Sequence, residues 1–107
     1  MSLHFAGLAQ QLGHDQRRVR LVLCEFSHSV AADLLRLERA AAGQRWHAVR
    51  EFAQSIEAAC LQISERNAAD AAATLVQIPG DLFEDAYATR RPQIVELLCR
   101  AKEFSGY

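Results

Sequence analysis

Trp46 to Ile63 reads W-H-A-V-R-E-F-A-Q-S-I-E-A-A-C-L-Q-I. Trp46, Val49, Ala53, Ile56, Cys60 and Ile63 recur at steps of three and four, so on a 3.6-residue helix they form one stripe that faces a core. His47, Arg50, Gln54, Glu57, Ala58 and Leu61 fall on the other side. That side is polar at its start and becomes small and apolar at Ala58 and Leu61. Such a surface can receive another protein, although an ordinary alanine-rich helix surface has the same composition.

Outward from this stretch the pattern stays helical. No segment alternates apolar and polar over a β-branched run, and Ala, Leu, Arg, Glu and Gln dominate. Residues 3–12 predict a short helix with Leu3, Phe5, Ala6 and Leu8 as its apolar side, stopped by Gly13, which tolerates the left-handed conformation beyond a helix end. Asp15 is placed to cap a long second helix reaching about Ala42, with Val19, Leu23, Phe26, Val30, Leu34 or Leu35, and Leu37 along it. Gly43 ends that helix, and the Trp46 helix follows. Asn67, with Asp70 three residues on, marks the start of the next helix, which runs to about Ile78 and is broken by Pro79 and Gly80. Asp81 and Glu84 resemble a capping box for the last helix, whose apolar side is Leu82, Phe83, Ala86, Tyr87, Ile94, Leu97, Leu98 and Ala101. Pro92 removes an amide donor there, so a kink or break is expected near Thr89 to Arg91. The elements add up to an all-α, up-and-down antiparallel four-helix bundle with a short extra N-terminal helix, one domain over residues 1–107.

Composition bounds the function. A chain of 107 residues with 50% hydrophobic and 23% charged residues and a net charge of -1 has the balance of a soluble globular domain. Arg17, Arg18 and Arg20 cluster, but Asp15, Glu25 and Asp33 dilute them, so nucleic acid is not an expected partner. No apolar run approaches the roughly 18 residues of a membrane span, and the N-terminus lacks a signal pattern, which together predict a cytoplasmic protein with no membrane insertion. Cys24, Cys60 and Cys99 sit in apolar patterns without C-x-x-C spacing and read as reduced core residues. His4, His14, His28 and His47 never pair at helical spacing, so no metal site is expected; no cofactor is implied either.

Two longer stretches carry a resemblance. Leu8 to Phe26, L-A-Q-Q-L-G-H-D-Q-R-R-V-R-L-V-L-C-E-F, and Ala32 to Ala58, with Gly43, Trp46, Val49, Arg50 and Ala53 in register, are similar to the histidine phosphotransfer (HPt) domains of bacterial phosphorelays. The family opens with a short helix, a G-D-D-type turn and a V-R-x-L-L-x-x-F helix. It continues with A-D-L-x-x-L-x-x-A and then G-D-W-x-x-V-R-x-x-A-H-x-L-K-G. The agreement covers roughly the first three quarters of the chain and weakens in the last quarter.

Three positions depart from that pattern. Gln54 stands where the family has its phosphate-accepting histidine, Glu57 where it has lysine, and Ala58 where it has glycine. A carboxamide offers no nucleophile comparable to an imidazole nitrogen at neutral pH. Glu57 adds negative charge where the lysine would offset a phosphoryl group, and the Ala58 methyl fills space that glycine leaves open. The resemblance therefore implies a non-enzymatic two-component signalling domain that carries no phosphate. Its partner is expected to be a response-regulator receiver domain or a histidine kinase, bound through Arg50, Gln54, Glu57, Ala58 and Leu61 with contributions from the preceding helix. The alternatives are an active phosphotransfer protein that uses His47, and a structural helical module excised from a hybrid sensor kinase, which the opening Met1, Ser2 and Leu3 would suit.

Overall fold

Residues 5–106 are described by a computed structural model. They form α1 (Ala6–Gln11), α2 (Gln16–Ala42), α3 (Trp46–Gln62), α4 (Arg66–Gln77), a 3-10 turn (Gly80–Leu82) and α5 (Phe83–Ser105), with no strand among the described residues. Leu3 and His4, the first residues of the expected opening helix, lie outside them. Asp15 caps α2 as expected: its Oδ1 accepts from the amides of Arg17 and Arg18 at 3.1 and 3.3 Å, satisfying two of the free donors of the first turn. At about 1.5 Å per residue, the 27 residues of α2 account for the 43 Å long axis of the molecule.

Three helix-to-helix turns share one geometry. The amides of His14, Arg45 and Glu65 donate back to the carbonyls of Ala9, Ala40 and Cys60 at 2.7, 2.9 and 2.9 Å, the long-range bond of a Schellman end. Gly13 takes the left-handed conformation at the first turn, with φ 65°. At the second, Gly43 has φ -90° and it is Gln44, at φ 56°, that turns left-handed. At the third it is Ser64, at φ 62°. This geometry corrects the expected start of α4. Glu65 and not Asn67 precedes its first residue, neither Asn67 nor Asp70 caps it, and Glu65 is held by Arg100 of α5 at 3.8 Å. Nor does a capping box form at Asp81 and Glu84, because the 3-10 turn runs straight into α5.

Packing follows the apolar stripes. α2 packs on α3 and α5, and α4 packs on the same two helices. Val19, Leu23, Val30, Leu37, Ala53, Ile56, Leu75, Ile94, Leu97 and Ala101 are fully buried or nearly so. Between Leu34 and Leu35 the structure decides for Leu34; Leu35 is exposed, as is Leu82, which was expected on the apolar side of α5. Cys60 is buried, and burial with Glu65 nearby pushes its thiol up to about 12. Cys24 is half-buried and Cys99 exposed, so only one of the three expected core cysteines is fully in the core. The N-terminal segment is tethered through Phe5, whose ring meets Phe104 edge-on at 5.8 Å and lies 5.6 Å from the Arg100 guanidinium.

Of the kink or break expected near Thr89 to Arg91, the break does not occur: α5 is continuous from Phe83 to Ser105, with Pro92 inside it. Pro92 and Ala88, whose carbonyl loses its partner, are both exposed, so water can take the freed acceptor. The helix is also anchored on both sides of the proline. Before it, the Tyr87 hydroxyl donates to Glu38 Oε2 at 2.7 Å and Arg91 Nε donates to the same oxygen at 3.1 Å; after it, Ile94 and Leu97 are buried. Among the described residues, no helix is long and apolar enough to cross a membrane.

Two predictions follow from these contacts. A Cβ at Gly80 would lie 2.5 Å from Trp46 Cε2 and 2.6 Å from Nε1, so Gly80→Ala is expected to destabilise the fold by about 1–3 kcal/mol, read as a lowered urea midpoint with altered Trp46 fluorescence. Burial and the bond to Glu38 raise the Tyr87 pKa, and burial raises that of Cys60. The folded chain therefore holds these two protons more tightly than the unfolded chain, and their contribution is complete below the ordinary thiol and phenol values and declines as pH rises through them. Urea midpoints should fall between about pH 9 and 10.5, and less steeply in Tyr87→Phe.

Candidate functional site

Helix α3 places the expected site residues by periodicity alone. With Val49, Ala53, Ile56, Cys60 and the following Ile63 buried, the intervening positions must turn outward. Arg50, Gln54, Ala58 and Leu61 are exposed and Glu57 is half-buried, so the five share one side of the helix. From Arg50 to Leu61 this side runs about 16 Å along the axis. Leu61 is its apolar end, 50% exposed. Trp46, expected on the inner stripe, is half-buried and packs on Phe83 with ring centroids 5.5 Å apart.

The preceding helix meets α3 along a different flank. Ser55 Oγ donates to Asp33 Oδ2 of α2 at 2.7 Å, and Asp33 also pairs with Arg36 at 3.3 Å. Further along, Ala59, Gln62 and Ile63 line a cavity of about 240 Å³ with Val22, Phe26 and Ser29 of α2. Ser55, Ala59 and Gln62 thus form the α2 side of α3, while Glu57 lies on the opposite shoulder. Any contribution of α2 to a partner seated on Gln54 enters from the Ala58 edge.

The chemistry of this face is limited. Gln54 sits one turn after Arg50 and one turn before Ala58, and neither Arg50 nor Glu57 has an ion-pair partner among the described residues. A carboxamide between an unpaired cation and an unpaired anion can accept and donate hydrogen bonds, but it supplies no nucleophile. His47 is highly exposed, and its Nε2 lies 2.7 Å from Glu51 Oε1. It precedes Gln54 by about two turns, roughly 10 Å. His28 lies apart from both, on α2 beside α5. Arg17, Arg18 and Arg20 are all exposed on α2.

Two features escaped the reading of the sequence. The Asp33–Ser55 bond joins residues 22 apart and has no local signature. The exposed Leu21 and Leu35 had one available signal, their spacing of two heptads. No known family, curated protein or solved structure matches the chain.

Adjacent substitutions on α3 should separate its face from its framework. Gln54→His, at an exposed position with no side-chain partner among the described residues, is expected to change stability by no more than about 0.5 kcal/mol. Ser55→Ala removes a donor from the nearly buried Asp33 carboxylate and is expected to cost about 1–3 kcal/mol. Urea unfolding of the two variants tests the contrast.

Proposed function

We propose that this chain is a degenerate HPt-type signalling domain that binds a receiver domain or a histidine kinase and carries no phosphate. One observation carries the reading: Gln54, in register with the family's acceptor histidine, is exposed in the middle of α3, on the same side as Arg50, Ala58 and Leu61. An acceptor position has to be reachable by a partner's active site, and this one is. The three departures at Gln54, Glu57 and Ala58 all act against phosphate, through a missing nucleophile, a like charge and a filled space. What remains at the position is a surface that can bind.

The architecture we infer for this function is an up-and-down four-helix bundle with α1 appended. The packing of α2 and α4 each against both α3 and α5 supports it, as do the short turns between successive helices. Within such a bundle α3 has two packed flanks and one free side, which is the Gln54 side. Bound without transfer, a partner would be sequestered or held in a complex.

Incubation of the purified chain with a phosphorylated receiver domain tests this reading. No acid-labile phosphate is expected on the chain, and the receiver should bind, with binding lost in Ala58→Arg and Leu61→Glu. Phosphate that appears on the wild-type chain and disappears in His47→Ala would overturn the inactive reading. Receiver and kinase binding that survives both face substitutions would overturn the docking surface.

A further inference from the structure

Leu21 and Leu35 are large apolar side chains that α2 leaves in solvent, 51% and 48% exposed. They stand 14 residues apart, about four turns and roughly 21 Å, and therefore lie on one line along the helix. Cys24, His28 and Ala31 lie between them, which makes a seam of alternating three- and four-residue steps with no fixed charge in it. A helix in a bundle needs one apolar stripe, and α2 has it in Val19, Leu23, Val30 and Leu37. The seam lies outside that stripe: Leu21, His28, Ala31 and Leu35 are exposed, and Cys24 is half-buried beside α5.

Beside the middle of the seam, α2 and α5 leave a cavity of about 380 Å³ between Cys24, Ser27, Ala31, Leu98 and Ser105. The two hydroxyls here are already committed, with Ser27 Oγ donating to the Leu23 carbonyl and Ser105 Oγ to the Lys102 carbonyl. With those hydroxyls committed, the polar groups left on the lining are His28 and Lys102 at its rim, and Cys24, Ala31 and Leu98 offer an apolar side chain its contacts. Four cations flank the seam and cavity, against the exposed carboxylates of Glu25 and Glu103. Arg17 lies one turn before Leu21, Arg39 one turn after Leu35, Arg20 one turn before Cys24, and Lys102 borders the cavity from α5. None of the four has an ion-pair partner among the described residues. The nearby Glu38 is occupied by Tyr87 and Arg91, and Glu25 lines the groove on the α3 side of α2.

The geometry points to a second docking surface, independent of the Gln54 face: the α2 seam and the α2/α5 cavity receive an amphipathic helix of a partner protein, with acidic flanks and one large apolar side chain seated in the cavity. The occupant is not a second copy of this chain, because that would set the same four cations against each other.

The probe is a synthetic helical peptide of about five turns, with leucines in heptad register, a central phenylalanine and glutamates on its flanks. Its control carries lysines in place of the glutamates. Titrated into the isotope-labelled chain, the acidic peptide should shift the amide resonances of residues 21–35 and 98–105. It should bind about tenfold or more tightly than the control, with the difference shrinking as salt rises. Leu21→Glu and Leu35→Glu, both at exposed positions, should abolish binding while circular dichroism stays unchanged, and Gln54→Arg should leave it intact. Equal binding of the two peptides, or shifts centred on α3, would overturn the proposal. So would sedimentation showing a dimer that Leu21→Glu dissolves, or binding to phosphatidylcholine–phosphatidylserine vesicles that Leu21→Glu abolishes.

Discussion

Val19, Leu23, Val30 and Leu37 are entirely screened from water, and both α3 and α5 pack on the stripe they form. Burying one such side chain is worth about 1.5–3 kcal/mol, so the two helices that cover the stripe take their position from it. α2 also spans the length of the molecule, and its neighbours are ordered along it by specific polar contacts. Asp33 holds α3 through Ser55, and Glu38 holds α5 through Tyr87 and Arg91. Apolar burial sets the stability of this arrangement, while the carboxylates, one at each interface, define where along α2 each neighbour sits.

α4 completes the packing in another way. Its buried side chains are Ala68, Ala69, Ala71, Ala72 and Leu75, and alanines let helices approach closely while contributing little area each. α3 is therefore covered on one flank by α2 with large side chains and on the other by α4 with small ones. Neither neighbour reaches over its outer side, so Arg50, Gln54 and Leu61 stay in solvent although the helix beneath them is rigidly packed. The face owes its accessibility and its fixed geometry to the same stripe of Val49, Ala53, Ile56 and Cys60.

Much of this was legible in the sequence because helical periodicity is a local property. The stripes of α2 and α3, the Asp15 cap and the stops at Gly13, Gly43 and Pro79 all depend on residues within a turn or two of each other. The misreadings share the opposite property. The start of α4 depends on Ser64 turning left-handed and on Arg100, far along the chain, taking Glu65. The Asp81–Glu84 cap is displaced by the 3-10 turn that seats Gly80 against the Trp46 ring. Of the kink or break expected before Pro92, only the break is excluded, because contacts from α2 and the core hold α5 on both sides. For the candidate site, the stripe from Arg50 to Leu61 could be read from spacing, but the flank on which α2 lies could not, because Asp33 and Ser55 meet only in the folded chain. Leu34 and Leu35 were indistinguishable for the same reason.

On the proposed reading, the two outward faces differ in a way that bears on how the molecule would act. The α3 face has Arg50 and Glu57 on either side of a neutral carboxamide, so it exerts little net field and would select partners by shape and hydrogen bonding. The α2 seam lies among Arg17, Arg20, Arg39 and Lys102, which have no ion-pair partner among the described residues, and would select by sign; long-range attraction of that kind acts mainly on the rate of encounter. The two faces are set on neighbouring helices, separated by the ridge where Asp33 meets Ser55, and they share no residue. Under that proposal the domain would act through the proximity of its partners, with selectivity divided between one neutral and one basic surface.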